Sequence, residues 1–137
     1  MLQELRFSDR FNKPIAKALW PLSLKKVKFG DQFNNSITKV KWPPSLEQLE
    51  FGKNFNHPIV KIKWPPALRH IEFGDKFNQP VVDLEWPPSL RQIKFGSDFN
   101  QPVVGVKWPP ALQKIKFGRG FKQERPLSIR HCSTRGY

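Results

Sequence analysis

The chain holds few side chains of the types that catalyse reactions, and their positions do not converge. Three histidines, His57, His70 and His131, and a single cysteine, Cys132, are the candidates for acid–base, nucleophilic or metal chemistry. An enzyme needs such groups to meet in one place, and a zinc site needs ligands at short, regular spacings. The histidines lie in unrelated sequence contexts, and we expect each to be an exposed variable residue. The sequence therefore predicts no catalytic site, no metal site and no cofactor, and the protein is predicted not to be an enzyme.

Lysine is the charged side chain that recurs in a pattern. Lys and Arg number 24 against 11 Asp and Glu, which gives a formal net charge of +13. A charge of this size is informative about partners, because it favours acidic proteins, nucleic acids or other polyanions. Which lysines share a surface depends on the elements that position them, and an internal repeat defines those elements.

A period of 22 residues runs through the chain. Five tryptophans and two sets of five phenylalanines keep this spacing: Trp20, Trp42, Trp64, Trp86 and Trp108; Phe29, Phe51, Phe73, Phe95 and Phe117; Phe11, Phe33, Phe55, Phe77 and Phe99. Self-similarity at a fixed period of this length is typical of repeat arrays, in which each unit packs on its neighbours.

The first half of each copy predicts a short strand. The run that ends at Leu49 and Phe51 alternates apolar and polar residues, which places these two side chains inward. Gly52 follows, and we expect it to end the strand by adopting a positive φ at a sharp corner. The prolines of each copy fall too often for helices.

The second half of each copy predicts another strand. The alternation from Val60 to Trp64 would place Lys61 and Lys63 outward, and the Pro65–Pro66 pair would end the strand because proline donates no ladder hydrogen bond. Stacked equivalent strands would then form two narrow parallel sheets with coils about 4.8 Å apart.

These patterns predict an all-β fold, a single-domain β-solenoid of about six coils with two short parallel strands per coil and almost no helix. The array spans residues 1–122, and residues 123–137 are predicted to be a partial C-terminal cap, using Leu127 and Ile129, and a basic tail. Coils 1 to 6 start near the leucines that open each copy: Leu2, Leu24, Leu46, Leu68, Leu90 and Leu112.

One polar position recurs directly after an inward phenylalanine and predicts a structural ladder: Asn12, Asn34, Asn56, Asn78 and Asn100. Buried peptide groups need partners, and an asparagine amide offers two donors and an acceptor. We expect this ladder to be buried and to satisfy backbone groups at a corner. For the tryptophans, a buried position and a partly exposed one both fit the sequence.

The motif resembles a known repeat. Phe55-Asn56-His57-Pro58-Ile59 and its equivalent at residues 77–81 look like the Phe-Asn-Ile-Pro signature of the FNIP repeat, and the match covers about residues 2–122. That family is regarded as similar to leucine-rich repeats. The resemblance implies a leucine-rich-repeat-like interaction solenoid and supplies no catalytic residues.

Outward residues that vary between copies are the candidates for binding a partner: Lys17, Lys39, Lys41, Lys61, Lys63, Lys107, Glu50 and Glu72. We predict a non-enzymatic scaffold for protein–protein interaction, with a partner that is acidic. The alternative is sequence-independent binding of nucleic acid or another polyanion, and a third interpretation is a solvated lysine surface that blocks aggregation.

The expected location is intracellular, in the cytoplasm. No apolar run approaches the roughly 20 residues needed to span a bilayer, the N-terminus lacks a signal-peptide pattern, and a single cysteine fits a reducing compartment. No membrane contact is predicted, and the oligomeric state and the identity of the partner do not follow from the sequence.

Overall fold

The computed structural model describes residues 1–126, 129 and 133–135. In these residues the chain forms one seven-stranded parallel sheet whose strand order follows the chain. The strands are β1 (Glu4–Arg6), β2 (Lys26–Lys28), β3 (Gln48–Glu50), β4 (His70–Glu72), β5 (Gln92–Lys94), β6 (Lys114–Lys116) and β7 (Ser133–Arg135). No α-helix occurs in the described ranges, so the predicted all-β solenoid is confirmed.

The strands stack in strict register. From β1 to β6 each residue pairs with the residue 22 positions later, so that Leu5 lies beside Val27 and Leu49 beside Ile71. Register of this kind is strongly specified where one face of a sheet is buried, because a slip of one residue would turn the apolar side chains to solvent. Identical repeat positions therefore form columns along the solenoid.

Phenylalanine columns fill the interior. The ring centroids of Phe73 and Phe77 in one coil lie 4.1 Å apart, and Phe77 stacks on Phe55 and Phe99 of the adjacent coils at 6.1 and 6.2 Å. These four rings are buried. The sequence prediction that both phenylalanine sets form a core is confirmed.

The prediction of a second strand in each coil is wrong. Residues 38–39, 60–61 and 82–83 are turns, and in coil 2 the Val40 N–H donates to the Ile37 carbonyl at 3.3 Å. The two buried residues of this segment are three apart, as in Ile37 and Val40, so the chain must reverse between them to bury both. A strand would have turned one of the two outward.

The glycine after each strand serves close approach rather than a positive φ. Among the described glycines only Gly105 has a positive φ, of 88°, which corrects the expectation for Gly52. A Cβ atom added to Gly74 would overlap the Gly52 carbonyl, and one added to Gly52 would overlap the Gly30 carbonyl. Glycine at this position lets successive coils approach backbone to backbone.

Prolines close the coil at its other end. In coil 2 the Leu46 N–H donates to the Pro43 carbonyl at 3.1 Å, and Pro44 takes the second position of this turn, where the fixed φ of proline fits. Ser45 then donates its hydroxyl to the carbonyl of Leu24, the residue that starts coil 2, at 2.6 Å. The corner is thus closed on itself and tied to the start of its coil.

The C-terminal end is covered in part. Ile129 is buried, the Arg125 guanidinium lies 5.3 Å from the centroid of the Phe117 ring, and β7 pairs with β6 so that Ile115 lies beside Thr134. The sequence did not predict β7, because the repeat pattern decays after Phe121. Leu127, which was expected to join the cap, lies outside the described residues.

Candidate functional site

The repeated asparagines form a continuous hydrogen-bonded column. Asn56 Oδ1 accepts the backbone N–H of Asn78 at 3.0 Å, and Asn78 Oδ1 accepts that of Asn100 at 2.9 Å. Gln79 Nε2 also donates to Asn56 Oδ1, at 2.9 Å. The column runs from Asn12 to the backbone N–H of residue 122.

This column is not buried, which corrects the prediction. Asn12, Asn34, Asn56 and Asn78 are exposed, and Asn100 is half-buried. The preceding phenylalanine takes the inward position, so the asparagine lies at the outer edge of the corner and turns its oxygen back toward the next coil. Its role in the structure is to tie adjacent coils together.

We expect Asn78→Ala to lower the free energy of unfolding by about 1 kcal/mol. The change leaves the Asn100 N–H without its acceptor, but water can reach this exposed edge and limits the cost. Denaturant unfolding followed by tryptophan fluorescence measures the effect. Gln101→Ala removes the side-chain donor to Asn78 Oδ1 and to the Asn78 carbonyl, keeps the backbone hydrogen bond of Asn100, and should cost less. Equal costs for the two variants would contradict a role for the backbone hydrogen bond.

Five of the predicted partner-binding lysines lie together on exposed positions of coils 1 to 3; we call them the lysine face: Lys17, Lys39, Lys41, Lys61 and Lys63. Lys17, Lys39 and Lys61 each occupy the second central position of a turn. None of the five forms an ion pair within the described residues. Lys107 is also exposed but lies in coil 5, beyond Asp83 and Glu85 of coil 4.

The two predicted acidic residues have a different environment. Lys26 Nζ lies 3.1 Å from Glu50 Oε2, and Lys94 Nζ lies 2.8 Å from Glu72 Oε1. The His70 side chain first, and then Lys94, lower the pKa of the Glu72 carboxyl far below its usual range. Both carboxylates are half-buried on the outer surface of the sheet and belong to its internal charge network.

His70 is part of the same network, although an exposed variable position was expected for it. It is half-buried, its Nε2 lies 4.0 Å from Glu72 Oε2, and its Nδ1 lies 3.2 Å from Gln92 Oε1. Glu50, His70 and Glu72 bring potential metal-ligand atoms within 4.8 Å of one another. His70 and Glu72 lie two residues apart on one face of β4, and cross-strand register adds Glu50 from β3.

His57 is half-buried as well, with Nε2 2.9 Å from the Asn34 carbonyl oxygen. Its position directly after Asn56 gives its ring the place that glutamines occupy beside the asparagine column in coils 4 and 5. Its role is therefore structural. His131 and Cys132, the other residues considered for chemistry, lie outside the described residues.

A further outward column of the sheet face escaped the sequence prediction. Glu47 Oε2 lies 3.1 Å from Lys25 Nζ, and Glu47 Oε1 lies 3.8 Å from Arg69 Nη1. The signal was present, since these positions follow the repeat leucine at the same period as the columns that were considered. With these pairs, the middle of the sheet face is largely neutralised by its own contacts, whereas the lysine face is not.

The architecture defines the class of the protein, a β-solenoid of the leucine-rich-repeat type. A similar solved structure is titled "The crystal structure of CroV588 a novel circular LRR protein structure", with a TM-score of 0.89 and 33% sequence identity over 98% of this chain. The chain spans only 20% of the length of that protein.

The family follows from the sequence of the coils. Residues 33–76, 61–98 and 77–119, together more than half of the chain, match the family model described as FNIP Repeat. The chain belongs to the FNIP repeat family. A comparison with curated proteins finds no match. No described part of the chain forms a helix long and apolar enough to cross a membrane.

Proposed function

We propose that the protein is a non-enzymatic scaffold for protein–protein interaction and that its lysine face binds an acidic segment of a partner protein. The observation that carries this proposal is the contrast between two surfaces of one solenoid. On the sheet face, carboxylates such as Glu50 and Glu72 are paired with lysines within the chain. On the lysine face, no described carboxylate neutralises the charge.

The stacking of the coils makes the lysine face energetically unfavourable in isolation. Coils repeat at about 4.8 Å, so lysines at equivalent positions of successive coils repel one another. An acidic segment that lies along the solenoid axis would relieve this repulsion and pair with several lysines at once. Complementary charge of this kind also speeds association and selects against basic partners.

Membership of a repeat family supports the scaffold role. Solenoids of this type place fixed residues inside and variable residues outside, and they usually bind other proteins through the variable surface. In this chain the inside columns are occupied by the same few residue types, whereas the exposed turn position changes from Lys61 to Asp83 to Gly105.

The test is a charge reversal. We expect the Lys39→Glu, Lys41→Glu, Lys61→Glu, Lys63→Glu variant to bind a labelled polyglutamate peptide about tenfold more weakly or worse, which corresponds to about 1.4 kcal/mol. Fluorescence anisotropy at fixed salt measures the affinity. The matched control reverses four exposed lysines that lie outside the lysine face, Lys28, Lys53, Lys76 and Lys122, and keeps the same net charge.

Equal loss in the two variants would show that total charge, rather than the lysine face, governs binding. The same titrations with a single-stranded oligonucleotide of matched charge separate the two partner classes. Tighter binding of the oligonucleotide through the same four lysines would replace the acidic protein segment by a polyanion.

A further inference from the structure

A cavity of about 190 Å³ opens between coils 3 and 4, at the end of the lysine face. Four residues with large apolar groups line its interior: Ile59, Ile62, Trp64 and Leu84. Three charged residues line it as well: Lys61 from coil 3, and Asp83 and Glu85 from coil 4. The cavity therefore combines an apolar lining with a cation from coil 3 and two anions from coil 4.

The backbone of coil 3 differs from its neighbours where it meets this cavity. Lys61 has a φ of 60° and is the only described non-glycine residue with a positive φ. In coil 4 the equivalent turn is closed by a hydrogen bond from the Leu84 N–H to the Val81 carbonyl at 3.2 Å. A left-handed lysine is strained, and such strain is often found at binding sites.

The tryptophan column is interrupted at the same coil. Trp20 stacks on Trp42 at 5.6 Å, and Trp64 stacks on Trp86 at 6.2 Å. No ring contact joins Trp42 to Trp64 in the described part of the chain. Trp64 is half-buried, as are Trp20 and Trp108, whereas Trp42 and Trp86 are buried, and Trp64 lines the cavity.

Exposed valines extend the apolar character beyond the cavity. Val82 and Val104 occupy the first central position of the turns in coils 4 and 5 and are 38% and 53% exposed. Apolar side chains at these outer positions do not disturb the packing of the core, and they favour contact with a partner. The cavity thus lies at the boundary between a basic region and a less charged, partly apolar one.

We infer that this cavity receives one apolar side chain of the partner segment and thereby fixes the register of that segment on the solenoid. The inference rests on the proposed function, because the same segment occupies the lysine face. Its acidic residues lie over coils 1 to 3, the apolar residue enters the cavity, and a basic residue then pairs with Asp83 and Glu85. The recognised pattern is an acidic block, an apolar residue and a basic residue, in that spatial order.

Interface energetics favour this arrangement. Most of the affinity of a protein interface comes from a few anchors in desolvated pockets, while rim charges set orientation and rate. A row of lysines alone holds an acidic segment in many registers of similar energy. A single pocket with a cation from one coil and anions from the next selects one register.

Two synthetic peptides of identical composition test the inference. In the first, a glycine starts a block of glutamates and a leucine separates that block from an arginine; in the second, the glycine and the leucine exchange places. We expect the native protein to bind the first peptide at least about fivefold more tightly by fluorescence anisotropy, a difference of about 1 kcal/mol. The variant Asp83→Asn, Glu85→Gln should reduce this preference.

The matched control is Asp75→Asn, Asp98→Asn, which makes the same change of charge at exposed positions away from the cavity; the preference should persist in it. Equal affinity of the native protein for both peptides would overturn the register while leaving the lysine face in place. A preference that survives unchanged in the Asp83→Asn, Glu85→Gln variant would also overturn it. Failure of both peptides to bind would overturn the proposed function itself.

Discussion

Gly74→Ala should destabilise the protein by about 3 kcal/mol, although it adds a single methyl group. The added Cβ would overlap the Gly52 carbonyl of the preceding coil. That atom belongs to the backbone and cannot move aside as a flexible side chain does. The two coils would have to separate locally, which would also weaken the hydrogen bonds on either side of the contact. Denaturant unfolding monitored by tryptophan fluorescence and circular dichroism measures the loss.

Gly105→Ala is the matched control for this effect. No atom lies within 4 Å of a Cβ added there, and its φ of 88° is the only source of strain. We expect it to cost about 1 kcal/mol. If Gly105→Ala costs as much as Gly74→Ala, conformational preference rather than close approach explains the recurrent glycine.

The strict period made the first half of each coil predictable from sequence. Leu49 and Phe51 were expected to point inward and are buried, while Gln48 is exposed. The reason is physical: identical coils that stack in register must place identical positions in the same environment. Five copies in phase therefore give the same information several times over.

The second half of the coil was less predictable because its pattern of apolar and polar residues fits both a strand and a turn. An alternation from Val60 to Trp64 is typical of a strand, but the fully buried residue is Ile59, three positions before the buried Ile62. Choosing between a strand and a turn requires knowing how far the chain must travel to close the coil. That distance depends on the packed phenylalanines and is not a local property.

Candidate site residues divide in the same way. The exposure of the lysine face was predictable, because its lysines occupy positions of the 22-residue repeat that were expected to point outward. Contacts between coils were not: Glu50 lies beside Glu72 because the chain between strands returns to the same register, and Lys94 joins Glu72 from the next coil. The cavity between coils 3 and 4 arises from a departure from the repeat, which a repeat-based prediction averages away.

Phe77→Ala should be the most destabilising of the substitutions considered, at about 4 kcal/mol. Phe77 is fully buried, with rings of adjacent coils on both sides and Phe73 of its own coil 4.1 Å away. Truncation removes this apolar area and leaves a void between rigid coils that cannot collapse, since their spacing is set by the backbone ladder. A conservative Phe77→Leu should recover more than half of the loss.

The position within the array makes this prediction sharper than a simple core truncation. Each coil contacts only its neighbours, so a defect in coil 4 weakens the coupling between the two halves of the solenoid. We expect Phe77→Ala to broaden the denaturant transition as well as to shift its midpoint. Phe11→Ala, in the same column but half-buried in coil 1, should cost about 2 kcal/mol and leave the transition sharp. Equal shifts with equally sharp transitions would mean that the solenoid unfolds as one unit and that the phenylalanine column does not carry the coupling between coils.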